Sequence, residues 1–308
     1  MKRSKIALGC DSRPFHKGED ITPIMDECMK LGLNVFDSAR GYGESERVLG
    51  EYIRSHGKRE DYFVSTKGCL PYPFSRLNPR ALVSDLEESL ATLDIGYIDL
   101  YLLHRDSLKA NIDEILEILY RYQSEGKILH YGVSNWKLDR VKMFNALALS
   151  KGYDPIYCVS NAYSLVPWQK DPWGGGAGCV CSTGNQEEIN YYSANGTMFL
   201  AYSPLARGFL TGKVKSNDRK SLAVLDASSK RAYLCEENLA RLARIEEIAS
   251  RLNTDVPTLT IAYLCQCKMH IVPSFGTTSV NRIAANMKAA EFPLDSKTIE
   301  ELDQLIKR

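Results

Sequence analysis

Eight short, almost wholly apolar runs, each followed by an amphipathic stretch, constrain this chain more than any other feature. They are "KIAL" (5–8), "NVFD" (34–37), "YFVSTK" (62–67) and "IDLYLLH" (98–104), then "ILHYGVS" (128–134), "IYCVSN" (156–161), "MFLAYS" (198–203) and "HIVPS" (270–274). Segments that are four to seven residues long and apolar on both faces fit parallel strands covered on both sides. The stretches between them read as helices. In "NPRALVSDLEESLATLD", Asn78 is placed as an N-cap, Pro79 takes the first helical position, and Leu82, Leu86, Leu90 and Leu93 share a face. In "NIDEILEILYRYQSEGK" the stripe is Ile115, Leu116, Leu119 and Tyr122, with Gly126 as the C-cap.

Eight such strands with seven intervening helical stretches in 308 residues fit an α/β fold of the (β/α)8 TIM-barrel type. The strand-to-strand interval, about 25–40 residues, is the size of one βα unit. A doubly wound sheet is the alternative, but its G-x-G-x-x-G after the first strand is missing and "ALGCDSR" stands there. The glycine run at 174–178 is fed by no apolar strand, so it reads as an insertion rather than a phosphate loop. The expected organisation is one barrel domain over 1–308 with long loops at about 164–184 and 204–235. Loops behind barrel strands are where binding and specificity usually sit.

Composition narrows the partners. A net charge of +1 gives no footprint for nucleic acid, and no apolar run approaches the roughly 18 residues of a membrane helix. Nine cysteines, odd in number and irregular in spacing, do not read as a disulfide framework. The pairs at 179/181 and 265/267 lack metal-site spacing, so no metal is expected. The basic N-terminus precedes an apolar stretch too short for a signal peptide. These features suggest a cytoplasmic protein, with a monomer as the default oligomeric state.

The polar residues are informative by position. Asp37, Lys67 and His104 close the second, third and fourth apolar runs, and Tyr42 lies on the Gly-rich turn behind Asp37. Barrel strands converge at their C-terminal ends, so these four would cluster despite their separation in sequence. A desolvated Asp and Lys pair with each other. An ammonium beside the Tyr42 phenol would favour the phenolate and lower its pKa from the usual value of about 10. A tyrosine so tuned is a general acid, and His104 would add a hydrogen bond to a developing oxyanion.

"NVFDSARGYGESERVLG", "FVSTKG", "YIDLYLLH", "EGKILHYGVSN" and "FLAYSPLARGFLTGK" occur in this order. Together they resemble the signature segments of the aldo-keto reductase superfamily, over about residues 5–290. The resemblance implies the barrel fold and NAD(P)H-dependent reduction of an aldehyde or ketone to an alcohol, as in alcohol dehydrogenases of class EC 1.1.1. Its catalytic tetrad falls on Asp37, Tyr42, Lys67 and His104, with Tyr42 as proton donor. For the cofactor, it assigns Ser134 and Asn135 to the nicotinamide carboxamide and Tyr202 to stacking on the ring. Ser203, Leu205, Arg207 and Gly208 would follow the pyrophosphate. Gly276, Thr277, Arg282 and Asn286 in "PSFGTTSVNRIAAN" fall on the adenosine-phosphate segment. An arginine at 282 suits a 2′-phosphate, which implies NADPH rather than NADH.

The sequence departs from the family pattern in two positions and one segment. Ser160, beside Asn161, stands where a glutamine usually contacts the carboxamide, and Gly276 replaces a frequent lysine. The 164–184 insertion, with Trp168 and Trp173, is expected to shape the substrate pocket. Arg13, His16, Arg105 and Trp136 are further candidates for substrate contact. Two other functions are open to such a sequence. One is an NADPH-binding regulatory or sensor protein with little turnover. The other is an enolising isomerase using Lys67 and His104, which leaves the cofactor segments without a role.

Overall fold

The computed structural model describes residues 2–71, 76–172 and 185–306. In it the eight apolar runs become β1 (Ala7–Gly9), β2 (Val35–Asp37), β3 (Phe63–Gly68), β4 (Ile98–Leu103), β5 (Ile128–Ser134), β6 (Cys158–Ser160), β7 (Met198–Tyr202) and β8 (Ile271–Phe275). They form a closed barrel in sequence order, with parallel pairing from β1 through β6 and between β7 and β8. The architecture is a (β/α)8 barrel. Around the strands lie α1 (Arg13–Lys17), α2 (Thr22–Lys30), α3 (Ser45–Ser55), α4 (Pro79–Leu93), α5 (Ile112–Ser124) and α6 (Leu138–Ser150). The remainder are α7 (Gln186–Ala194), α8 (Ala227–Tyr233), α9 (Glu236–Arg251), α10 (Val256–Gln266), α11 (Val280–Ala290) and α12 (Ser296–Ile306).

Contacts divide the chain into two compact units: 1–160 with 276–283, and 161–275 with 284–308. In the first, β3 and β4 are buried along their whole length, as strands covered on both faces must be. Asn78 caps α4 by accepting from the Ala81 N–H at 3.0 Å, with Pro79 in the first turn. Leu82, Leu86 and Leu93 are buried, but Leu90 is only half-buried, and Ser89 and Asp85 complete the inward face. Asp85 is inward because its carboxylate accepts from the Cys69 N–H at 2.7 Å, a local demand that hydrophobic periodicity does not register. At the end of α5, Gly126 sits at φ 69°. Its N–H donates to Gln123 O and the Lys127 N–H to Tyr122 O, closing the helix with a Schellman turn.

In the second unit β7 pairs with β8, Leu200 opposite Val272. The expected long loop after β7 is largely structured: it holds 3-10 turns at Ala206–Gly208 and Arg219–Val224, then α8. The described part of the expected 164–184 insertion is anchored to α8 and α9. Leu165 and Val166 are fully buried. Pro167 O accepts from Asn238 Nδ2 at 2.8 Å, and the Gln169 N–H donates to Ala232 O at 2.6 Å. Trp173, the glycine run at 174–178, Cys179 and Cys181 lie outside the described residues. No helix among the described residues is long and apolar enough to cross a membrane.

Candidate active site

The register of the first unit brings the strand-end residues side by side. Asp37 is in line with Ser65 on β3, and Lys67 with Leu102 on β4. Successive strand residues face opposite sides, so Ser65 and Lys67 point the same way and both reach Asp37. The Lys67 ammonium donates to Asp37 Oδ1 at 2.7 Å and to Ser38 O at 2.8 Å, and Ser65 Oγ donates to the same carboxylate oxygen at 3.2 Å. Lys67 is 3% exposed and Asp37 5%. Burial works against the Lys67 charge, yet Asp37 and the nearby Tyr42 outweigh it and hold the ammonium above its ordinary pKa.

The turn after β2 carries Tyr42 into this group. Its N–H donates to Ala39 O at 2.9 Å, and Gly43 follows at φ 58° with His16 O pressed against it, so a side chain at 43 would meet backbone. The phenol ring is close to two imidazoles, its centroid 5.8 Å from His16 and 5.9 Å from His104, the latter edge-on. Lys67 Nζ is 5.1 Å from the same centroid. The arrangement departs from expectation in one respect. The Tyr42 pKa is raised, not lowered: burial dominates, Asp37 and Asp11 add to it, and the pull of Lys67 and Arg105 does not compensate. The phenol therefore keeps its proton at neutral pH, the state that a proton donor requires.

His104 ends the group. Its N–H donates to Gly68 O at 2.8 Å, and the side chain is 5% exposed. Burial first, then the charges of Lys67 and Arg105, push its pKa well below the usual histidine value, so the imidazole is neutral. Its Nδ1 is buried without a hydrogen-bond partner among the described residues.

Beside it, the ends of β5 and β6 hold Ser134, Asn135 and Ser160 together. Ser134 Oγ donates to Ser160 O at 2.8 Å, as does the Asn135 N–H at 3.1 Å. Asn135 Nδ2 reaches Ser134 Oγ at 2.8 Å and His104 O at 3.4 Å. Asn135 adopts φ 61°, a left-handed backbone that asparagine tolerates better than most residues. Ser160 Oγ is buried and has no partner among the described residues, so it is free to meet a donor or acceptor of a bound amide.

Gly276, Thr277 and Arg282 also belong to the first unit. Thr277 Oγ1 accepts from the Ser279 N–H at 3.2 Å just ahead of α11. Arg282 is exposed and forms no ion pair among the described residues. Asn286, half-buried on α11, is assigned to the second unit.

The remaining candidates form their own cluster in the second unit. Tyr202 closes β7, its N–H donating to Asn161 O at 3.3 Å. In the turn behind it Ser203 (φ 52°), Ala206 (φ 49°), Arg207 (φ 51°) and Gly208 (φ 104°) all lie in the left-handed half of the map, while Leu205 does not. Backbones of this kind form concave N–H cradles for anions. Arg207 Nη2 lies 3.0 Å from Ser228 Oγ and 3.7 Å from Asp226, and Ser229 Oγ donates to Arg207 O at 3.1 Å.

Supporting residues not picked out from the sequence are Ser38, Ser65, the α8 cap Asp226, and Ser228 and Ser229 in the first turn of α8. Ser65 was open to detection, because it shares a strand face with Lys67. Trp136, a candidate for substrate contact, is fully buried against Phe144, and Arg13 pairs on the surface with Glu19.

A buried Lys–Asp pair, a protonated phenol and a neutral imidazole thus gather at the ends of β2, β3 and β4 and on the turn behind β2. The sequence profile described as "Aldo/keto reductase family" matches residues 8–307, and the chain belongs to that family. It is 29% identical over 202 residues to the aldo-keto reductase YhdN of Bacillus subtilis, a match spanning 64% of this chain and 54% of that protein. It is 28% identical over 293 residues to the aldo-keto reductase yakc [NADP(+)] of Schizosaccharomyces pombe, spanning 91% of this chain and 80% of the relative. A crystal structure of a thermostable aldo-keto reductase with the inhibitor epalrestat shares the fold, with a TM-score of 0.72 at 24% identity over 99% of this chain and 96% of that one. Family and fold support a carbonyl-reducing oxidoreductase acting on small molecules with a nicotinamide cofactor.

Proposed function

We propose that the protein is an NADPH-dependent reductase of aldehydes or ketones in which Tyr42 is the proton donor. The observation that carries this reading is the Lys67–Asp37 pair at 2.7 Å, with the Lys67 ammonium 5.1 Å from the centre of the Tyr42 ring and neutral His104 edge-on to that ring at 5.9 Å. The cofactor, when bound, supplies the hydride. Ser134, Asn135 and Ser160 would hold its carboxamide, a role supported by the buried, partnerless hydroxyl of Ser160. Tyr202 would stack on the ring, and the turn from Ser203 through Leu205 and Arg207 to Gly208 would take the diphosphate. Gly276, Thr277, Arg282 and Asn286 would take the adenosine phosphate. Arg282, without an ion pair among the described residues, favours NADPH over NADH.

The chain's own residues account for the proton. Tyr42 holds it at neutral pH because burial raises the phenol. As negative charge builds on the substrate oxygen, Tyr42 releases the proton to it, and the Lys67 ammonium stabilises the phenolate left behind. Neutral His104 offers a ring N–H to the same oxygen and, being uncharged, does not compete as the acid. The proposal is of a cytoplasmic, monomeric enzyme working as one barrel domain, with the 164–184 insertion bordering the substrate.

The test is the loss of NADPH absorbance with a panel of simple aldehydes, for the protein and for Tyr42→Phe. Turnover should fall by about 10²–10⁴-fold in the variant, the usual worth of a positioned general acid. Unchanged turnover in Tyr42→Phe would remove the proposed donor. Tight NADPH binding with no aldehyde reduced would favour a regulatory barrel instead.

A further inference from the structure

We propose that Arg105 selects substrates bearing a carboxylate, so that the protein reduces carboxylated aldehydes or ketones in preference to neutral ones. This rests on the reading of Tyr42 and His104 as the site of carbonyl reduction. Arg105 directly follows His104 at the end of β4, and its Nη1 donates to His104 O at 2.9 Å, the oxygen that Asn135 Nδ2 also approaches. The guanidinium is thus fixed within the site, and its charge acts on both the Tyr42 phenol and the His104 ring.

The charge count around it does not close. Asp37 is taken by Lys67 at 2.7 Å and Asp106 by Arg140 at 3.2 Å, and Asp11 is hydrogen-bonded to His16. Arg105 forms no ion pair among the described residues, and its Nε is buried without a hydrogen-bond partner. The guanidinium is partly buried, with its remaining N–H groups open to an anion that would gain a charge-assisted contact there. The anions of the cofactor are assigned to Arg207 and Arg282, which leaves the substrate as the source. A planar guanidinium matches the two oxygens of a carboxylate and makes stronger, charge-assisted hydrogen bonds to them. A substrate whose carbonyl oxygen lies at Tyr42 and His104 would place a carboxylate a few bonds away against Arg105.

The test compares matched pairs with NADPH: succinic semialdehyde against butanal, and 4-carboxybenzaldehyde against its methyl ester. The protein should favour the acid of each pair in kcat/KM by about tenfold or more, the scale of a hydrogen bond to a charged group. Arg105→Met should shrink that ratio by a similar factor through KM, and Arg105→Lys should restore part of it. No preference for the acids, or a ratio unchanged in Arg105→Met, overturns the proposal. Thermal unfolding confirms that each variant folds, and Arg105→Lys serves alone if Arg105→Met does not. If no aldehyde is reduced at all, the reductase reading fails, and calorimetry of succinate binding to the NADPH-loaded protein still decides. Binding that weakens about tenfold in the variant supports Arg105 as the anion site. Absent or unaltered binding refutes it.

Discussion

Replacing His104 by asparagine is expected to change how stability depends on pH. The imidazole is 5% exposed and neutral in the fold, because burial and the adjacent Lys67 and Arg105 disfavour its charged form. In the unfolded chain it titrates near the reference value of about 6.5. The folded pKa lies below the unfolded one, so the unfolded state binds the extra proton as pH falls. The stability contribution is full above about pH 6.5 and is lost below it, at up to about 1.4 kcal/mol per pH unit. At pH 5.5 the loss from this one group comes to about 1.4 kcal/mol, while the imidazole stays neutral in the fold. His130, half-buried and stacked on Tyr157 at 3.9 Å, is shifted in the same direction and remains in both proteins, so only the difference between them is diagnostic. Urea unfolding at pH 7.5 and 5.5 measures it. The parent should lose about 1.4 kcal/mol more than His104→Asn across that interval. Equal losses would mean that the ring accepts a proton without cost, and the account of a neutral His104 would be wrong.

Two further outcomes follow from the geometry. Asp37→Ala leaves the Lys67 ammonium buried with Ser38 O and without its carboxylate, so unfolding free energy should drop by about 3–5 kcal/mol, and adding Lys67→Met should recover part of it. Arg282→Ala should weaken NADPH binding by about tenfold in a fluorescence titration while leaving NADH binding within about twofold, since only the former carries a 2′-phosphate for the guanidinium.

The barrel was legible because its strands are apolar on both faces, a pattern that few other folds impose, and the observed strand limits fall within a few residues of the runs. The proposed catalytic cluster was legible for a related reason: Asp37, Lys67 and His104 interrupt apolar runs where nothing in the core requires them. The sign of the Tyr42 shift was not. Proximity to Lys67 follows from the topology, but the competing burial term depends on how tightly the turn packs against His16 and His104. Helix α8 was hidden because "ASSKRAY" is short and carries no apolar stripe. The left-handed run behind β7 was hidden because Ser203, Ala206 and Arg207 are not residues that announce such a backbone. That Arg105 has no ion pair among the described residues becomes visible only when the partners of Asp11, Asp37 and Asp106 are known.

Gly68, directly after Lys67, has the hydroxyl of Tyr101 where a β-carbon would stand, and that hydroxyl is itself buried with no hydrogen bond among the described residues. The two positions are therefore tied in the paths by which the sequence can diverge. A descendant that exchanges the glycine while Tyr101 keeps its hydroxyl passes through a collision beside the lysine, and loss of the hydroxyl relieves the worst of it, leaving the ring edge and Asp85 at 3.0 Å. Loops around the rim are free to drift toward new substrates, while this step of the third strand is coupled to the fourth.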